Sequence, residues 1–406
     1  MGHVQRQNKW NGPCVIDAVV IGGGPAGIAA ALRLKARGVP RVVILERETE
    51  LGGALRQGTD AAAGLWIFRR LRTAEAYARR LTRAAQAAGV EIFSSHEVMA
   101  LKPNGELDVS TPEGPQRFAA RRVLLATGAR ESAPPCGAGL AHVLNASALR
   151  AVLETGGKAP FQNPVVVGME AGLLSALALC RHRGIRPAAL VVEQPRPLAC
   201  WPLSLYLRLV RVRLICGAAV EPVDGTIPPG RVRLSNGASL ECDGVLFTGR
   251  FLPEARLAQA SHLHCDACTG GPAVDQYGRC SDIFYFATGK LAGMAGSSFR
   301  NGTAIGDYIA DDLSGGLPSL VGRLEVLAGP GLRFVVPQTL AHVVPLRGRL
   351  EMCAAEALKG QLRVRAGEAV LYRRRVEAQP EQRLVIDLDG VRTLPDGAQL
   401  IVEIVA

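Results

Sequence analysis

The sequence lacks any run of about 18 apolar residues free of charges and breakers, so no helix able to span a membrane is expected. Its opening stretch, 1-MGHVQRQNKWNGPC-14, lacks the apolar core of a secretory signal. We read that stretch as a mobile tail and the protein as cytoplasmic. Acidic residues are the minority charge, 36 against 47 basic ones, for a net charge of +11. Yet there is no dense basic block with interleaved aromatics, and arginine, far commoner than lysine, is spread along the whole chain. No nucleic-acid partner is therefore expected. The charge reads as an Arg- and Ala-rich composition, with docking to an acidic protein as the sharper alternative. The ten cysteines are scattered, mostly in apolar segments, which argues for reduced buried thiols rather than a disulfide framework. No four-cysteine iron–sulfur spacing is present. The single Cys-x-x-Cys, Cys265 to Cys268, has His262 and His264 beside it but no second ligand pair. It reads as a surface loop with incidental cysteines and no metal; a redox pair and half a zinc site are the alternatives. No general acid–base pair stands out. His142 and His182 read as ordinary surface or core histidines.

What the sequence does have is length and apolar content. Its 406 residues, 48% hydrophobic and 20% charged, suit two to three globular domains with a sizeable core. The segment 15-VIDAVVIGGGPAGIAAALRLKARG-38 reads as a buried parallel strand, a tight turn and an Ala-rich helix ended by Gly38. The turn carries Gly22, Gly24 and Gly27 in Gly-x-Gly-x-x-Gly spacing, with Pro25 and Ala26 between. The first glycine permits the tight turn, the second lets backbone approach a pyrophosphate, and the third lets helix and strand pack closely. Phosphates then sit at the helix N-terminus, where free N–H groups and the dipole favour anions. The next strand, 41-RVVILER-47, ends on Glu46, 24 residues after Gly22, placed to accept from ribose hydroxyls, with Arg47 following. Strand, fingerprint, helix, strand and acid together make a dinucleotide site.

The glycine pair in 51-LGG-53, ending on Gly53, lets the chain pass close to a long cofactor and favours FAD over NAD. Two strands run into Ala-Thr-Gly: 121-RRVLLATGAR-130, with Ala126, Thr127 and Gly128, and 282-DIFYFATGKLAG-293, followed by a helical stretch from about Ser298 to Leu313. From about residue 14 to 318 the chain resembles the two-dinucleotide-binding-domain flavoproteins of the pyridine nucleotide-disulfide oxidoreductase class. The resemblance implies an α/β protein with two Rossmann-like three-layer domains, the second inserted in the first. The FAD domain would be split over 14–150 and 250–318, with an NAD(P)-like domain at 151–249. It places Gly289 and Lys290 near the ribityl-pyrophosphate, Val98 at the cofactor and His96 near the adenine side. The class usually has Asp where Lys290 stands; lysine cannot accept a ribityl hydrogen bond but can bind phosphate. Disulfide reductases of the class carry a cysteine pair soon after the LGG; here 51-LGGALRQGTDAAAGL-65 has none, so no dithiol relays electrons there.

The inserted domain opens on 165-VVVGMEAGLLSALAL-179, a second strand, turn and helix, followed by the strand 188-AALVVEQ-194, which ends on an NAD-type ribose acid, Glu193. It closes with 243-DGVLFTGRFLPE-254. In that turn Gly168 fills the first glycine position, but Glu170 takes the second and Leu173 the third. A Glu side chain blocks backbone approach, and its charge opposes a pyrophosphate by roughly 3 kcal/mol at about 5 Å and an effective dielectric of about 20. That is about a hundredfold in affinity. NAD(P) binding is therefore expected to be poor, although a Glu placed nearby could instead reach the nicotinamide. The segments 270-GGPAVDQYGRCSD-282 and 74-AEAYARRLTRAAQAAGVEI-92 resemble a narrower group, the FAD-containing subunits of heteromeric dehydrogenases for amino acids, opines, hydroxyproline or glycine. That resemblance implies a substrate-oxidising flavoprotein subunit, and an iron–sulfur protein, as partners. Alternatives are a self-sufficient NAD(P)H-dependent reductase and an FAD-binding structural subunit. From about Arg333 the runs 333-RFVVPQ-338, 361-QLRVRA-366, 369-AVLYRRR-375 and 383-RLVIDLDG-390 alternate apolar and charged residues. A small β-sandwich over 330–406 is expected, for subunit contact or stability rather than catalysis.

Overall fold

The computed structural model describes residues 16–56, 74–168, 170–193, 212–223, 230–249, 251–294, 296–318, 322–341, 349–379, 383–387 and 399–405. The expected mobile tail and most of the stretch after the LGG lie outside them. The chain divides into two compact units. One takes Met1–Gly53, Ala78–Gly128 and Pro253–Ala406; the other takes Ala54–Tyr77 and Ala129–Leu252.

The first unit is built on β1 (Ile16–Ile21), α1 (Pro25–Ala36), β2 (Val42–Glu46), β3 (Glu91–Ser94), β4 (Glu97–Lys102), β5 (Glu106–Thr111) and β6 (Gly114–Leu125). The sheet order is β3-β2-β1-β6-β5-β4, with the strand Tyr285–Ala287 also pairing β6. β1 and β2 are buried along almost their whole length, as the unbroken Val/Ile/Leu runs require for strands covered on both faces. β1 pairs in parallel with β2 on one side and β6 on the other, Val20 opposite Ile44 and Leu124. The chain therefore leaves β1 toward β2 and later returns beside it as β6. That reversal of strand order opens a crevice at the carboxyl ends of β1 and β6. β6 is long enough for two tasks: its first half closes an antiparallel hairpin with β5, and its last residues pair in parallel with Tyr285–Ala287.

α1 starts with Pro25 at its first position and has no side-chain cap. The helix Ser298–Leu313 crosses it at backbone contact, because Gly302 and Gly306 face it. A methyl group at Gly302 would lie 2.0 Å from the Ala26 carbonyl oxygen, and one at Gly306 would lie 2.8 Å from that of Ala30. At the far end, Arg33 and Arg37 bind Asp307, and Arg37 also binds Asp311, all at 2.6–2.8 Å. Among the described residues, no helix is long and apolar enough to cross a membrane.

In the same unit, two sheets sandwich a C-terminal core. One runs Thr339–Leu340, Leu324–Ala328, Leu400–Val405, Leu358–Ala366, Ala369–Ala378; the other runs Leu332–Val336, Arg349–Ala354, Arg383–Asp387. Leu340, Leu350, Met352, Leu362, Val364 and Val402 fill the space between them. The sandwich includes the strand Leu324–Ala328 and therefore starts ahead of the expected residue 330. It is continuous with the nucleotide-binding half: Phe334, Val336 and Cys353 belong to the same core as Val19, Leu45 and Leu125. Gln338 also exchanges two hydrogen bonds with the backbone of Val274, both 3.0 Å.

The second unit carries a parallel sheet ordered Arg213–Cys216, Ala189–Val192, Val165–Gly168, Val245–Thr248, Val143–Asn145. The helix Glu170–His182 follows the third of these. The strand Val143–Asn145 pairs with Val245–Thr248, so this unit reaches back before residue 151. A three-residue strand is too short to show a period in the sequence.

Candidate dinucleotide site

The fingerprint turn leaves β1 at the crevice. Gly22 has φ +104°, and a methyl group there would lie 2.6 Å from the carbonyl oxygen of Ala126 on the neighbouring strand. At Gly27 a methyl group would lie 2.0 Å from the Gly22 oxygen, so helix and turn touch through backbone. Gly24 differs: its backbone is extended, and a methyl group there would meet nothing within 4 Å. The space beside Gly24 is open, at the head of an uncapped helix. Pro25 carries no N–H, and the first-turn amides of Ala26 and Gly27 have no partner within the helix. The geometry is a cradle for phosphate, with backbone donors and the helix dipole directed at it.

Glu46 closes one side. It is buried; its Oε2 accepts from the Gly23 N–H at 2.7 Å and its Oε1 from the Glu48 N–H at 3.0 Å. Each oxygen keeps a lone pair for a ribose hydroxyl. The LGG segment lies against the turn: Gly52 N–H donates to the Gly23 carbonyl at 2.8 Å, and a methyl group at Gly53 would come 3.2 Å from the Gly24 Cα. Arg47 points outward and pairs with Glu48 at 3.4 Å. Val98 packs against the apolar core and sits opposite Val109 in the β4–β5 ladder. His96 is held by its N–H to the Glu46 carbonyl, and its ring lies 5.2 Å from that of Phe93.

The two Ala-Thr-Gly segments meet at the same end of the sheet. Ala126 N–H donates to the Ile21 carbonyl at 2.9 Å, and Thr288 N–H to that of Leu125 at 3.1 Å. The Thr127 hydroxyl donates to the Glu254 carbonyl at 2.8 Å and Glu254 N–H returns to Gly128 at 3.0 Å, a clamp the sequence does not advertise. Gly289, at φ +69°, brings its Cα beside α1; a methyl group there would be 3.5 Å from the Ala26 Cβ. Lys290 is thereby placed next to the first turn of α1. Its side chain is solvent-accessible, yet the surrounding protein desolvates the ammonium and lowers its pKa below the ordinary lysine value. A cation on the rim of the phosphate cradle suits an anion. The residues present therefore fit a dinucleotide with its pyrophosphate at Gly24.

The second turn departs at the expected places. A methyl group at Gly168 would lie 2.0 Å from the Thr248 carbonyl oxygen, the counterpart of Gly22 against Ala126. This first glycine is thus demanded by the neighbouring strand, with or without a ligand. Leu173, in the third position, is fully buried in the unit's own core. Glu170 begins the helix; its side chain lies outside the described residues. Glu193 follows its strand and is exposed.

The remaining candidates are the cysteines and histidines. No disulfide links the described cysteines, and among the described residues no cluster of His, Cys, Asp and Glu could hold a metal. His262 is committed to Asp282 at 2.7 Å. Burial pushes the thiols of Cys136, Cys242 and Cys265 up, and that of Cys180 to about 12, so none of these is set up as a thiolate. His142 is a core histidine and His182 a surface one.

Residues 16–304 match the family described as pyridine nucleotide-disulphide oxidoreductase. The chain is 25% identical over 315 residues to an opine oxidase subunit of Agrobacterium tumefaciens, covering 69% of this chain and 62% of that protein. To the opine oxidase subunit of the same name in Rhizobium meliloti it is 29% identical over 176 residues, 43% of this chain and 38% of that one. The chain thus spans less than two thirds of the curated relatives it matches. In structure it is similar to thioredoxin reductase of T. acidophilum, with a TM-score of 0.58 and 19% identity over 73% of this chain and 98% of that one. With the family match over most of its length and a crevice that fits a dinucleotide, the chain belongs to the pyridine nucleotide-disulphide oxidoreductase family of FAD-dependent oxidoreductases.

Proposed function

We propose that this chain is the FAD-containing electron-transfer subunit of a multi-subunit dehydrogenase acting on an amino acid, an amine or a related small metabolite. The observation that carries the reading is the contrast between the two turns: open space at Gly24 in the first, a glutamate at the equivalent position 170 in the second. FAD would supply the redox chemistry. Gly22, Gly24, Pro25, Ala26 and Gly27 would hold its pyrophosphate, with Lys290 and Gly289 on the rim. Glu46 would fix the adenosine ribose. Arg47, Gly53, Val98, Ala126, Thr127 and Gly128 would line its path. With no cysteine in the stretch that follows the LGG, electrons would leave the flavin for a partner rather than for a dithiol. The partner is a substrate-oxidising flavoprotein subunit, with an iron–sulfur protein further along. The names of the two opine oxidase subunits support this placing and the substrate class. A cytoplasmic site of action is part of the proposal.

The test is anaerobic mixing of the yellow protein with excess NADH or NADPH while flavin absorbance is followed. The proposal expects no bleaching, with dithionite still able to reduce the flavin. Rapid bleaching would overturn it in favour of a self-sufficient NAD(P)H-dependent reductase, the second reading, which Glu193 favours as a ribose acid.

A further inference from the structure

The segment that carries Gly289 and Lys290 is a closed turn. Gly293 N–H donates to the Lys290 carbonyl at 3.2 Å, and Met294 N–H to that of Gly289 at 3.1 Å. These two bonds make the ends of the turn move together. One end sets Gly289 beside the first turn of α1. The other, Gly293, lies at φ +69°, and a methyl group there would come 3.2 Å from Val336 Cγ2 and 3.3 Å from Thr269 Cγ2. Leu291 and Ala292, between the two ends, are buried in the core that also holds Phe334 and Val336.

Val336 is the last residue of the sandwich strand Leu332–Val336. Thr269 belongs to the loop 266–271, which meets the turn at a second point: a methyl group at Gly271 would lie 2.1 Å from the Leu291 carbonyl oxygen. That loop is itself tied to the sandwich. Asp266 Oδ2 accepts from the Thr269 N–H at 2.7 Å and from Gln338 Nε2 at 3.4 Å. Gln338 also holds Val274, just past the loop, by its backbone and its side chain. Gln276 and Ala341 repeat the tie: Ala341 N–H donates to Gln276 Oε1 at 2.8 Å, and Gln276 Nε2 to the Ala341 carbonyl at 3.3 Å. A module that serves only for contact with other subunits joins its neighbour through a more polar boundary. Here the boundary is an apolar core, and it lies directly behind the 289–294 turn.

We propose that the C-terminal sandwich is the backstop of the phosphate cradle, with Val336 and Gln338 as positioning residues that hold Gly289 and Lys290 against α1. Close-packed interiors pass small displacements on, because they have little free volume in which to absorb them. Removing the Val336 methyl groups opens space behind Gly293. The turn relaxes into that space, and Lys290 withdraws from the cradle. The inference rests on the proposed binding of FAD at the first turn, and gives the sandwich a part in cofactor binding beyond subunit contact or stability.

The test compares Val336→Ala with Val364→Ala in the full chain. The second variant makes the same deletion in the sandwich's own core, which does not include the turn. Val336→Ala is expected to weaken FAD by about tenfold in the folded fraction and to change the visible circular dichroism of the bound flavin. In flavin-free protein it is expected to speed amide exchange across 289–294. Val364→Ala is expected to lower the melting temperature with none of these changes. Gln338→Ala should act in the same direction as Val336→Ala, and carries the comparison if that variant does not fold. Equal FAD affinity in the Val336 and Val364 variants, or equal exchange across 289–294, would each overturn the proposal. So would faster exchange spread evenly over the chain. The exchange comparison uses no flavin. A wild-type chain that takes up no FAD would therefore sink the proposed function and leave exchange to decide whether the sandwich holds the turn.

Discussion

A methyl group fits at Gly24 without meeting an atom, and the φ of −76° there suits any residue. Gly24→Ala is therefore expected to leave the melting temperature of flavin-free protein unchanged while weakening FAD by at least about tenfold; Gly24→Glu should abolish it. Gly22→Ala and Gly27→Ala should do the opposite first, lowering flavin-free stability by about 1–3 kcal/mol through backbone overlap. Calorimetry of flavin-free protein beside FAD titration separates the two classes. Glu46→Gln would turn an amide NH₂ toward the N–H of Gly23 or Glu48. That unmade hydrogen bond should cost about 1–3 kcal/mol, read in the same melts. Lys290 gives a pH dependence whose sign is fixed. Its folded pKa is lowered by desolvation, so the unfolded state holds the proton over a range where the folded state does not, and stability rises with pH through that range. A phosphate on Lys290 restores the proton, so FAD affinity should fall as pH rises through the same range. Lys290→Met should flatten that profile. The glycine roles are legible in sequence because they depend on backbone and spacing alone. The placing of Lys290 is not, since it arises only when residue 289 lands beside residue 26.

Elements with a strong period or a glycine-bounded apolar run were legible: β1, β2 and the helix Ser298–Leu313 fall within a residue or so of where the sequence puts them. The strands Leu324–Ala328, Arg349–Ala354 and Leu400–Val405 were not. Their apolar faces are completed by partners far away in sequence, Leu400 lying opposite Val326 and Ala366. The Ser298–Leu313 helix also sets the height of α1, because Gly302 and Gly306 admit its backbone. Gly302→Val should push the two apart, with a loss of about 1–3 kcal/mol or more. Weaker FAD binding in the folded fraction should follow, because the first turn of α1 moves with the helix. Stability curves with and without excess FAD test this: a valine that shifts both equally would mean that the contact holds the fold but not the cradle.

At the scale of the whole molecule, each unit carries its own sheet, mixed in the first and parallel in the second, and the sandwich shares its core with the first. Chemistry assigned by sequence to the first turn lies at the point where strand order reverses, which only the assembled sheet defines. Glu170→Gly is the test proper to this scale, because it asks whether the second unit is one side chain away from binding NADH. Improved affinity in a titration would locate the defect in the turn; no change would place it elsewhere in that unit. The carbonyl of Thr248 against Gly168 has a further consequence. The neighbouring strand requires that glycine for folding alone. A glycine that the fold demands in this way survives whether or not a nucleotide is bound, so its presence is no record of what the turn holds.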